Sequence, residues 1–248
     1  GKPLELGGSL GRSEATGRGV MLNTLQILKR LGKDPKGCSV AIQGFGNVGS
    51  TAAHLLSEKK TKVVAVSDVS GILYDPEGLD IHKLIEYTFP GGKPRLFRDY
   101  EGHGVEFMEN GSDILTMDVD VLIPAALENQ VTLNNAGDVK ADIIVEGANG
   151  PVTKEADGVL NEKGIHVVPD ILANSGGVIV SYFEWVQGIQ SFFWDLDEVN
   201  RNLERIMDKS FSEVWDLAGN EGISLRDSAF QNGIGKISRA IELRGIFP

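Results

Sequence analysis

Short apolar runs alternate along the chain with longer segments in which apolar residues recur every three or four positions. The short runs are typical of buried strands, whereas the longer segments are typical of amphipathic helices. The runs cover residues 40–42, 63–66, 119–123, 143–145 and 166–168. Because strands that alternate with helices build parallel sheets covered on both faces, we predict an α/β fold with a doubly wound, mostly parallel sheet.

The helical segments are predicted between and after these strands. They cover residues 13–31, 79–87, 131–137, 154–163, 199–218 and 230–241. The apolar stripes of the last two are interpreted as core or domain-packing faces. Residues 71–76, bounded by a glycine and a proline, are predicted to form a turn, and residues 89–111 irregular chain or short strand.

These elements are predicted to form one domain over residues 1–248. Residues 1–12 are rich in glycine and are interpreted as an incoming linker, residues 13–195 as the sheet-containing core and residues 196–248 as C-terminal helices. The chain opens with Gly1-Lys2-Pro3, and an excised domain is expected.

A glycine turn joins the first predicted strand to the helix that follows it. The turn consists of Gly44, Phe45, Gly46, Asn47, Val48 and Gly49, and the next strand ends at Asp68. This order is typical of a Rossmann-like βαβ unit that binds a dinucleotide: a strand, a glycine turn, a helix and a second strand that ends at a carboxylate. Gly44 permits a tight turn, Gly46 lets the backbone approach a pyrophosphate and Gly49 lets the helix pack against the strand. The helix N-terminus would bind the phosphates, and Asp68 would accept hydrogen bonds from the adenosine ribose.

Three further residues come shortly after predicted strands. Ala125 and Ala126 come after the third strand, and Asn149 comes after the fourth. Ligands of doubly wound sheets bind beyond the carboxyl ends of the strands. We therefore expect these three residues on the cofactor side of the sheet.

Composition excludes several classes of function. The 248 residues are 41% hydrophobic and carry a formal net charge of −11, with no block of Lys and Arg. This size and apolar content allow a substantial core, and the negative charge disfavours nucleic acid and anionic membranes as partners. No apolar run approaches the length of a membrane span. The single cysteine, Cys38, favours a reducing cytoplasm, and no metal site is predicted because no His, Cys, Asp and Glu group has ligand spacing.

One short motif points to a different chemistry. Residues 7–11 read GGSLG and match the letters of the nucleophile elbow of serine hydrolases. That elbow needs a strand before it and a helix directly after it, and Pro3 and the neighbouring glycines favour neither. The four histidines are not clustered, so a hydrolase is disfavoured.

Several long motifs are more specific than the glycine turn. They read GGS at residues 7–9, EATGRG at 14–19, GFGNVG at 44–49, EGANGP at 146–151 and PDILANSGGVIVSYFEW at 169–185. In this order they resemble the C-terminal, nucleotide-binding half of a glutamate dehydrogenase, from the family that also contains leucine, phenylalanine and valine dehydrogenases. The resemblance runs from end to end of the chain.

The resemblance implies roles for the residues in these motifs. Thr16, with Arg12 close by, resembles the threonine that binds the nicotinamide carboxamide, and Asn174 resembles the asparagine on the other side of that amide. Asn149, Ala125 and Ala126 resemble the positions that line the nicotinamide ribose. Ser181 resembles the serine that contacts the distal carboxylate of the substrate, and Val178 the neighbouring wall.

The resemblance also implies an activity and what this chain lacks for it. The family reaction is the reversible oxidative deamination of L-glutamate to 2-oxoglutarate and ammonium, with hydride transfer to a nicotinamide cofactor. In the family, the substrate-binding lysines and the proton-shuttling aspartate belong to a preceding N-terminal catalytic domain, and the full-length proteins are homo-oligomers. No catalytic residue is therefore predicted in this chain, which is expected to bind the cofactor and to be inactive alone.

Two alternative functions stay open. A branched-chain or aromatic amino-acid dehydrogenase has the same implied fold, but it would place an apolar residue at the position of Ser181. The chain could also be a stand-alone nucleotide-binding module. For the cofactor we predict NAD, with NADP possible, because Asp68 would repel a 2′-phosphate while Ser67 and Ser70 could donate hydrogen bonds to one.

Overall fold

A seven-stranded sheet forms the centre of the protein. The computed structural model describes residues 1–245. The strands are β1 Ser39–Gln43, β2 Lys62–Asp68, β3 Gly71–Tyr74, β4 Glu106–Met108, β5 Val121–Pro124, β6 Ile143–Val145 and β7 His166–Val168. Their order is β4-β3-β2-β1-β5-β6-β7, with β3 antiparallel to β2 and β4 and all other neighbours parallel. The predicted doubly wound, mostly parallel sheet is confirmed.

Helices follow most of the strands. They are α1 Ala15–Arg30, α2 Asn47–Glu58, α3 Ile81–Thr88, α4 Lys154–Glu162, α5 Asp170–Ala173, α6 Gly176–Gln190, α7 Leu196–Glu221 and α8 Leu225–Arg244. The βαβ unit predicted around the glycine turn is β1, α2 and β2. The predicted helices at residues 13–31, 79–87, 154–163, 199–218 and 230–241 correspond to α1, α3, α4, α7 and α8.

Residues 71–76 do not form the predicted turn. Residues 71–74 are β3, which pairs with β2 from Asp68↔Gly71 to Ala65↔Tyr74. A Cβ at Gly71 would contact the Met108 carbonyl oxygen and the Phe107 ring, so this glycine permits the close approach of β4. The glycine and proline thus mark the two ends of a short strand.

Residues 131–137 do not form the predicted helix. Val131 bridges to Val152, and only Ala136–Asp138 form a short 3-10 helix. The Asn135 side chain accepts a hydrogen bond from the Thr132 N–H at 2.7 Å and donates one to the Gln130 carbonyl oxygen at 2.9 Å. Polar side chains that bind local backbone groups compete with helix formation, which explains the irregular chain here.

Apolar residues fill both faces of the sheet, as the alternation of strand side chains requires. One face carries Val40, Ile42, Val66, Val121, Ile123 and Val145, and buried residues of α1, α2, α6, α7 and α8 pack against it. The opposite face carries Ala41, Ala65, Leu122 and Ile144, and buried residues of α4 and of the 3-10 helix Gly111–Thr116 cover it.

The N-termini of α1, α2 and α6 converge because glycines stand where these helices cross. A Cβ at Gly17 would lie 2.6 Å from the Thr51 Cβ on α2. A Cβ at Gly19 would lie 3.1 Å from the Gly176 nitrogen, and one at Gly176 would collide with the Ala15 carbonyl oxygen. Backbone approach therefore accounts for the glycines at the start of α1, at a cost in helix propensity.

The two C-terminal helices differ in how they pack. The apolar stripe of α7, including Val199, Leu203, Met207 and Phe211, is buried. On α8 the predicted stripe of Phe230, Ile234, Ile237 and Ile241 is exposed, and the buried residues are Leu225, Ser228 and Ala229. A core role for the α8 stripe is therefore wrong, and a role in packing against another domain stays a prediction.

Residues 1–12 pack against α6. The Glu184 carboxylate accepts hydrogen bonds from the Lys2 N–H at 3.0 Å and from the Ser9 N–H at 3.2 Å. Burial acts to raise the pKa of Glu184, but these two hydrogen bonds, together with nearby positive charges that include Lys2, outweigh it and lower the pKa. Within residues 1–245, no helix has the length and apolarity needed to cross a membrane.

The glycine contacts predict the effect of adding a methyl group at two positions. Gly176→Ala should destabilise the fold by about 2 kcal/mol, because the new Cβ meets the backbone of α1 and the helices must separate. Gly158→Ala is the matched control, since its Cβ would meet nothing within 4 Å and α4 would gain about 0.5–1 kcal/mol of helix propensity. Urea unfolding measures both values. Equal stability of the two variants would contradict the packing described here.

Candidate functional site

The glycine turn after β1 has the geometry that a dinucleotide needs. Gly44 has φ +90°, in the left-handed region that favours glycine. A Cβ at Gly49 would collide with the Gly44 carbonyl oxygen, so α2 can follow the turn this closely only with glycine there. Gly46 has ordinary extended angles, and a Cβ on it would meet no atom of residues 1–245 within 4 Å. Its exposed α-carbon therefore faces open space into which a phosphate can approach.

The N-terminus of α2 adjoins this open space. Gly46 is the N-cap residue, and among the described residues no side chain caps the helix there. The first backbone N–H groups of a helix have no partner within it, and they favour an anion at this end. The turn and the helix end together fit a pyrophosphate.

Two adjacent clefts open on either side of the turn, where the strand order reverses between β1 and β5. The first cleft measures about 710 Å³ and the second about 680 Å³, and residues 125–127 line both. The first is lined by Arg12, Thr16, Val48, Glu128, Gly147, Ala148, Asn149, Asn174, Gly177, Val178 and Ser181. The second is lined by Gln43, Gly44, Phe45, Gly46, Ser67, Asp68, Val69, Thr88, Phe89, Pro94, Arg95, Leu96, Gly111, Ser112 and Gln130. Ligands bind at this reversal in doubly wound sheets.

Amide and hydroxyl groups line one side of the first cleft. The Asn174 Nδ2 donates hydrogen bonds to the Asn149 Oδ1 at 2.8 Å and to the Ala148 carbonyl oxygen at 3.2 Å. These bonds fix the Asn174 amide on the loop that follows β6. Thr16 lies opposite on α1, with its Oγ1 2.5 Å from the position of a Cβ on Gly177. The glycine at 177 therefore keeps the space in front of the Thr16 hydroxyl open.

The other end of the first cleft carries a positive charge. The Arg12 Nε donates a hydrogen bond to the Ser181 Oγ at 2.7 Å, and the Ser181 hydroxyl donates to the Gly177 carbonyl oxygen at 3.0 Å. Ser181 thus fixes the Arg12 guanidinium, whose remaining N–H groups can bind a carboxylate. Val178 forms the rim and is 68% exposed.

In the second cleft, the Asp68 carboxylate is bound within the protein. Its Oδ1 accepts hydrogen bonds from the N–H and hydroxyl of Ser70, both at 2.6 Å, and its Oδ2 accepts one from the Phe97 N–H at 2.8 Å. Phe97 is fully buried and packs against Phe45 with ring centroids 5.4 Å apart. Asp68 therefore ties the end of β2 to the segment that precedes Phe97 and lines the cleft.

Arg95 adds a positive charge to the same cleft. Its guanidinium lies over the Tyr87 ring, 5.5 Å from the centroid. The Tyr87 hydroxyl donates to the Leu96 carbonyl oxygen at 2.9 Å, and burial, with the charge of Asp99, raises the pKa of Tyr87. Tyr87 thus supports the segment that carries Arg95.

The structure brings nearly all of the predicted site residues to these two clefts. Phe45 lines the second cleft but is 5% exposed, so it acts mainly as packing beneath the turn. The Asn47 side chain donates to the Ser13 carbonyl oxygen at 2.7 Å and lines neither cleft. Within the described part of the chain, no cluster of three or more His, Cys, Asp or Glu could hold a metal ion.

Sequence reasoning missed other residues that line the clefts. Leu127, Glu128, Gly147 and Ala148 continue the loops after β5 and β6, and that position could have indicated them. Arg95 and its neighbours lie in a segment without periodicity, and contacts that no local pattern contains, such as the Asp68–Phe97 hydrogen bond, place that segment beside β2.

Comparison with known proteins gives concordant matches. Residues 7–245 match the sequence model of the Glutamate/Leucine/Phenylalanine/Valine dehydrogenase family. The glutamate dehydrogenase of Thermotoga maritima is 49% identical over 249 residues, which cover 100% of this chain and 58% of that protein. The cryptic catabolic NAD-specific glutamate dehydrogenase of Bacillus subtilis is 45% identical over 246 residues, covering 99% of this chain and 56% of that protein.

A solved structure agrees with these sequence matches. The hetero-hexameric glutamate dehydrogenase of Thermus thermophilus, in a leucine-bound form, superposes with a TM-score of 0.88 at 36% identity. The match covers 100% of this chain and 57% of that one. The chain thus spans somewhat more than half the length of the relatives that it matches.

The hydrogen bonds of Asp68 predict a structural effect in addition to any effect on ligands. Asp68→Ala should lower the free energy of unfolding by about 2 kcal/mol, because the Ser70 and Phe97 N–H groups lose a charged acceptor. Amide hydrogen exchange at Phe97 should accelerate. Asp99→Ala is the control in the same segment, since the described residues donate no hydrogen bond to its carboxylate. Unchanged exchange at Phe97 in Asp68→Ala would show that Asp68 does not hold this segment.

Proposed function

The chain belongs to the Glutamate/Leucine/Phenylalanine/Valine dehydrogenase family, and we propose that it is the nucleotide-binding part of a glutamate dehydrogenase. One observation carries the proposal: the open space in front of Gly46, at the uncapped N-terminus of α2, lies between two clefts of suitable chemistry. One cleft presents a carboxylate to an adenosine ribose, and the other presents amide, hydroxyl and guanidinium groups to a nicotinamide and a substrate.

Different residues of this chain bind different parts of the cofactor. The N–H groups at the start of α2 bind the pyrophosphate, and Asp68 faces the adenosine ribose in the second cleft. Ala125, Ala126 and Asn149 line the nicotinamide ribose. Asn174 and Thr16 hold the carboxamide from its two sides, which fixes the ring in the first cleft.

When bound, the nicotinamide supplies the hydride acceptor for the reversible oxidative deamination of L-glutamate to 2-oxoglutarate and ammonium. This chain contributes to the reaction by positioning the nicotinamide ring, because a fixed ring makes hydride transfer a reaction between oriented partners.

The polar end of the first cleft favours an acidic substrate. The Arg12 guanidinium, fixed by Ser181, attracts the distal carboxylate of glutamate. Leucine or valine would leave these polar groups against an aliphatic side chain, which is unfavourable. Val178 forms the adjoining apolar wall.

A second part of the protein supplies the remaining groups. The relatives are longer than this chain, and the exposed face of α6 beside the first cleft carries Tyr182, Trp185 and Ile189, which are 57%, 61% and 66% exposed. A preceding catalytic domain packs on this face and brings the lysines and the aspartate of the reaction. Glu184 also holds residues 2–9 against the same helix. The hexameric assembly named for the Thermus thermophilus relative supports an oligomer for the longer protein.

The proposal predicts binding without turnover for the chain alone. The purified chain should bind NAD+ in calorimetric titration, yet it should not reduce NAD+ in the presence of L-glutamate, because the catalytic lysines are in another domain. Substantial turnover by this chain would contradict the division of roles, and a chain that binds no nucleotide would contradict the proposed function itself.

A glycine substitution sharpens the binding test. Gly46→Ala should leave the fold intact, since the new Cβ meets no atom of the described residues within 4 Å. It should weaken the binding of NAD+ at least about tenfold, because the methyl group blocks the pyrophosphate. Gly137→Ala is the matched control, because its Cβ also meets nothing and it lies in neither cleft.

Cofactor choice is a separate prediction. NAD+ should bind about tenfold more tightly than NADP+, which corresponds to roughly 1.4 kcal/mol, because Asp68 accepts from a 2′-hydroxyl and repels a 2′-phosphate. The NAD specificity named for the Bacillus subtilis relative supports this choice.

Arg95 attracts the 2′-phosphate of NADP+ and so limits the preference for NAD+. Arg95→Met should therefore weaken the binding of NADP+ but not that of NAD+. Arg98→Met, outside the cleft, is the control. Equal affinities for the two cofactors would show that Asp68 does not select between them.

A further inference from the structure

A buried charge network lies behind the first cleft. Glu146 follows β6 and is 0% exposed. Arg226 of α8 binds it through two hydrogen bonds, Nη2 to Oε1 at 2.7 Å and Nη1 to Oε2 at 3.1 Å. The Arg226 Nε also donates to the Asp157 Oδ1 of α4 at 3.1 Å, and its Nη1 lies 3.9 Å from the Asp170 Oδ1. One guanidinium therefore joins α8 to β6, α4 and α5.

The contacts of Arg226 are costly to break because the groups that make them are charged and largely buried. Burial raises the pKa of Glu146, against the opposing effect of the Arg226 charge. Burial also acts to lower the pKa of Arg226, but the hydrogen bonds and charges of Glu146 and Asp157 outweigh it and raise the pKa. Arg226 is thus the charged partner of three carboxylates, and removing it would leave Glu146 buried without a cation.

Hydrogen bonds connect this network to the loop that lines the first cleft. The Glu146 Oε2 accepts from the Asp170 N–H at 2.7 Å. The Asp170 Oδ2 accepts from the Gly150 N–H at 2.8 Å, which fixes the end of the loop over residues 147–150. Asn174, one turn beyond Asp170, holds Asn149 at 2.8 Å. Both amides of the cleft therefore depend on elements that Arg226 holds together.

We propose that Arg226 is a positioning residue for the nicotinamide end of the cofactor. It does not touch the cleft. Through Glu146 and Asp170 it sets the position of Asn149 and Asn174, and the C-terminal helix α8 thereby controls the geometry of the nicotinamide site. This inference rests on the proposed function.

A positioning role differs measurably from a purely structural one. ADP contains the adenosine and the pyrophosphate but neither the nicotinamide nor its ribose, so it reports on the second cleft and the glycine turn. NAD+ reports in addition on the first cleft. A variant that only loosens the whole domain lowers the affinity for both ligands, whereas a displaced nicotinamide site lowers the affinity for NAD+ alone.

The test titrates both ligands calorimetrically into the parent chain and three variants. Arg226→Lys keeps the charge but cannot bind Glu146 and Asp157 in the same planar arrangement. Asp170→Asn is milder, because it removes one of the two acceptors used by the Gly150 and Ile171 N–H groups. Arg239→Lys is the control on α8, since Arg239 is paired only with the exposed Glu242 among the described residues.

The expected result is that Arg226→Lys and Asp170→Asn bind NAD+ about tenfold or more weakly while the affinity for ADP stays within about twofold, because a small misplacement of binding groups is costly. Unchanged NAD+ affinity in both variants, or an equal loss for both ligands, overturns the proposal. If Arg226→Lys does not fold, Asp170→Asn decides by the same criterion. A parent chain that binds neither ligand refutes the proposed function instead, and that outcome needs no variant.

Discussion

Close contact between backbones at the carboxyl edge of the sheet is the constraint on which the rest of this structure depends. Glycines stand where α1 crosses α2 and α6, and where α2 leaves β1, and a side chain at Gly49 or Gly176 would collide with a carbonyl oxygen. These contacts bring three helix N-termini together at the point where the strand order reverses. Gly46 differs from the glycines at these crossings, because a Cβ on it would meet no atom of the described residues within 4 Å. The glycines at the crossings therefore permit packing, whereas Gly46 permits the approach of a ligand.

Hydrogen-bonded carboxylates then fix what the glycines bring together. Asp68 ties β2 to the buried Phe97, and so places the wall of the second cleft. Glu146, paired with Arg226, does the same for the loop that lines the first cleft. Both carboxylates close parallel strands, and both bind backbone N–H groups of a later segment. The site thus consists of loops whose positions are determined by charged groups at the strand ends.

The sequence predicted elements and site residues correctly where the pattern that identifies them is local. The glycine turn, Asp68 and the strand ends at Ala125 and Asn149 each follow from a periodic run and the residues after it. It failed at β3, because a strand of four residues between glycine and proline has the composition of a turn. It failed at residues 131–137, where Asn135 binds the backbone in place of a helix. Arg95 reaches the second cleft because the nearby Phe97 binds Asp68, and Arg226 binds Glu146. Both contacts join residues far apart in the chain, and no local pattern contains them.

The central claim is that this chain holds a nicotinamide dinucleotide across the glycine turn. A crystal structure of the chain grown with NAD+ tests it most directly. The account predicts the pyrophosphate within hydrogen-bonding distance of the N–H groups that follow Gly46, the adenosine ribose beside Asp68 and the nicotinamide between Thr16 and Asn174. A dinucleotide bound elsewhere, or one whose nicotinamide lies outside the cleft formed by Thr16 and Asn174, would contradict it.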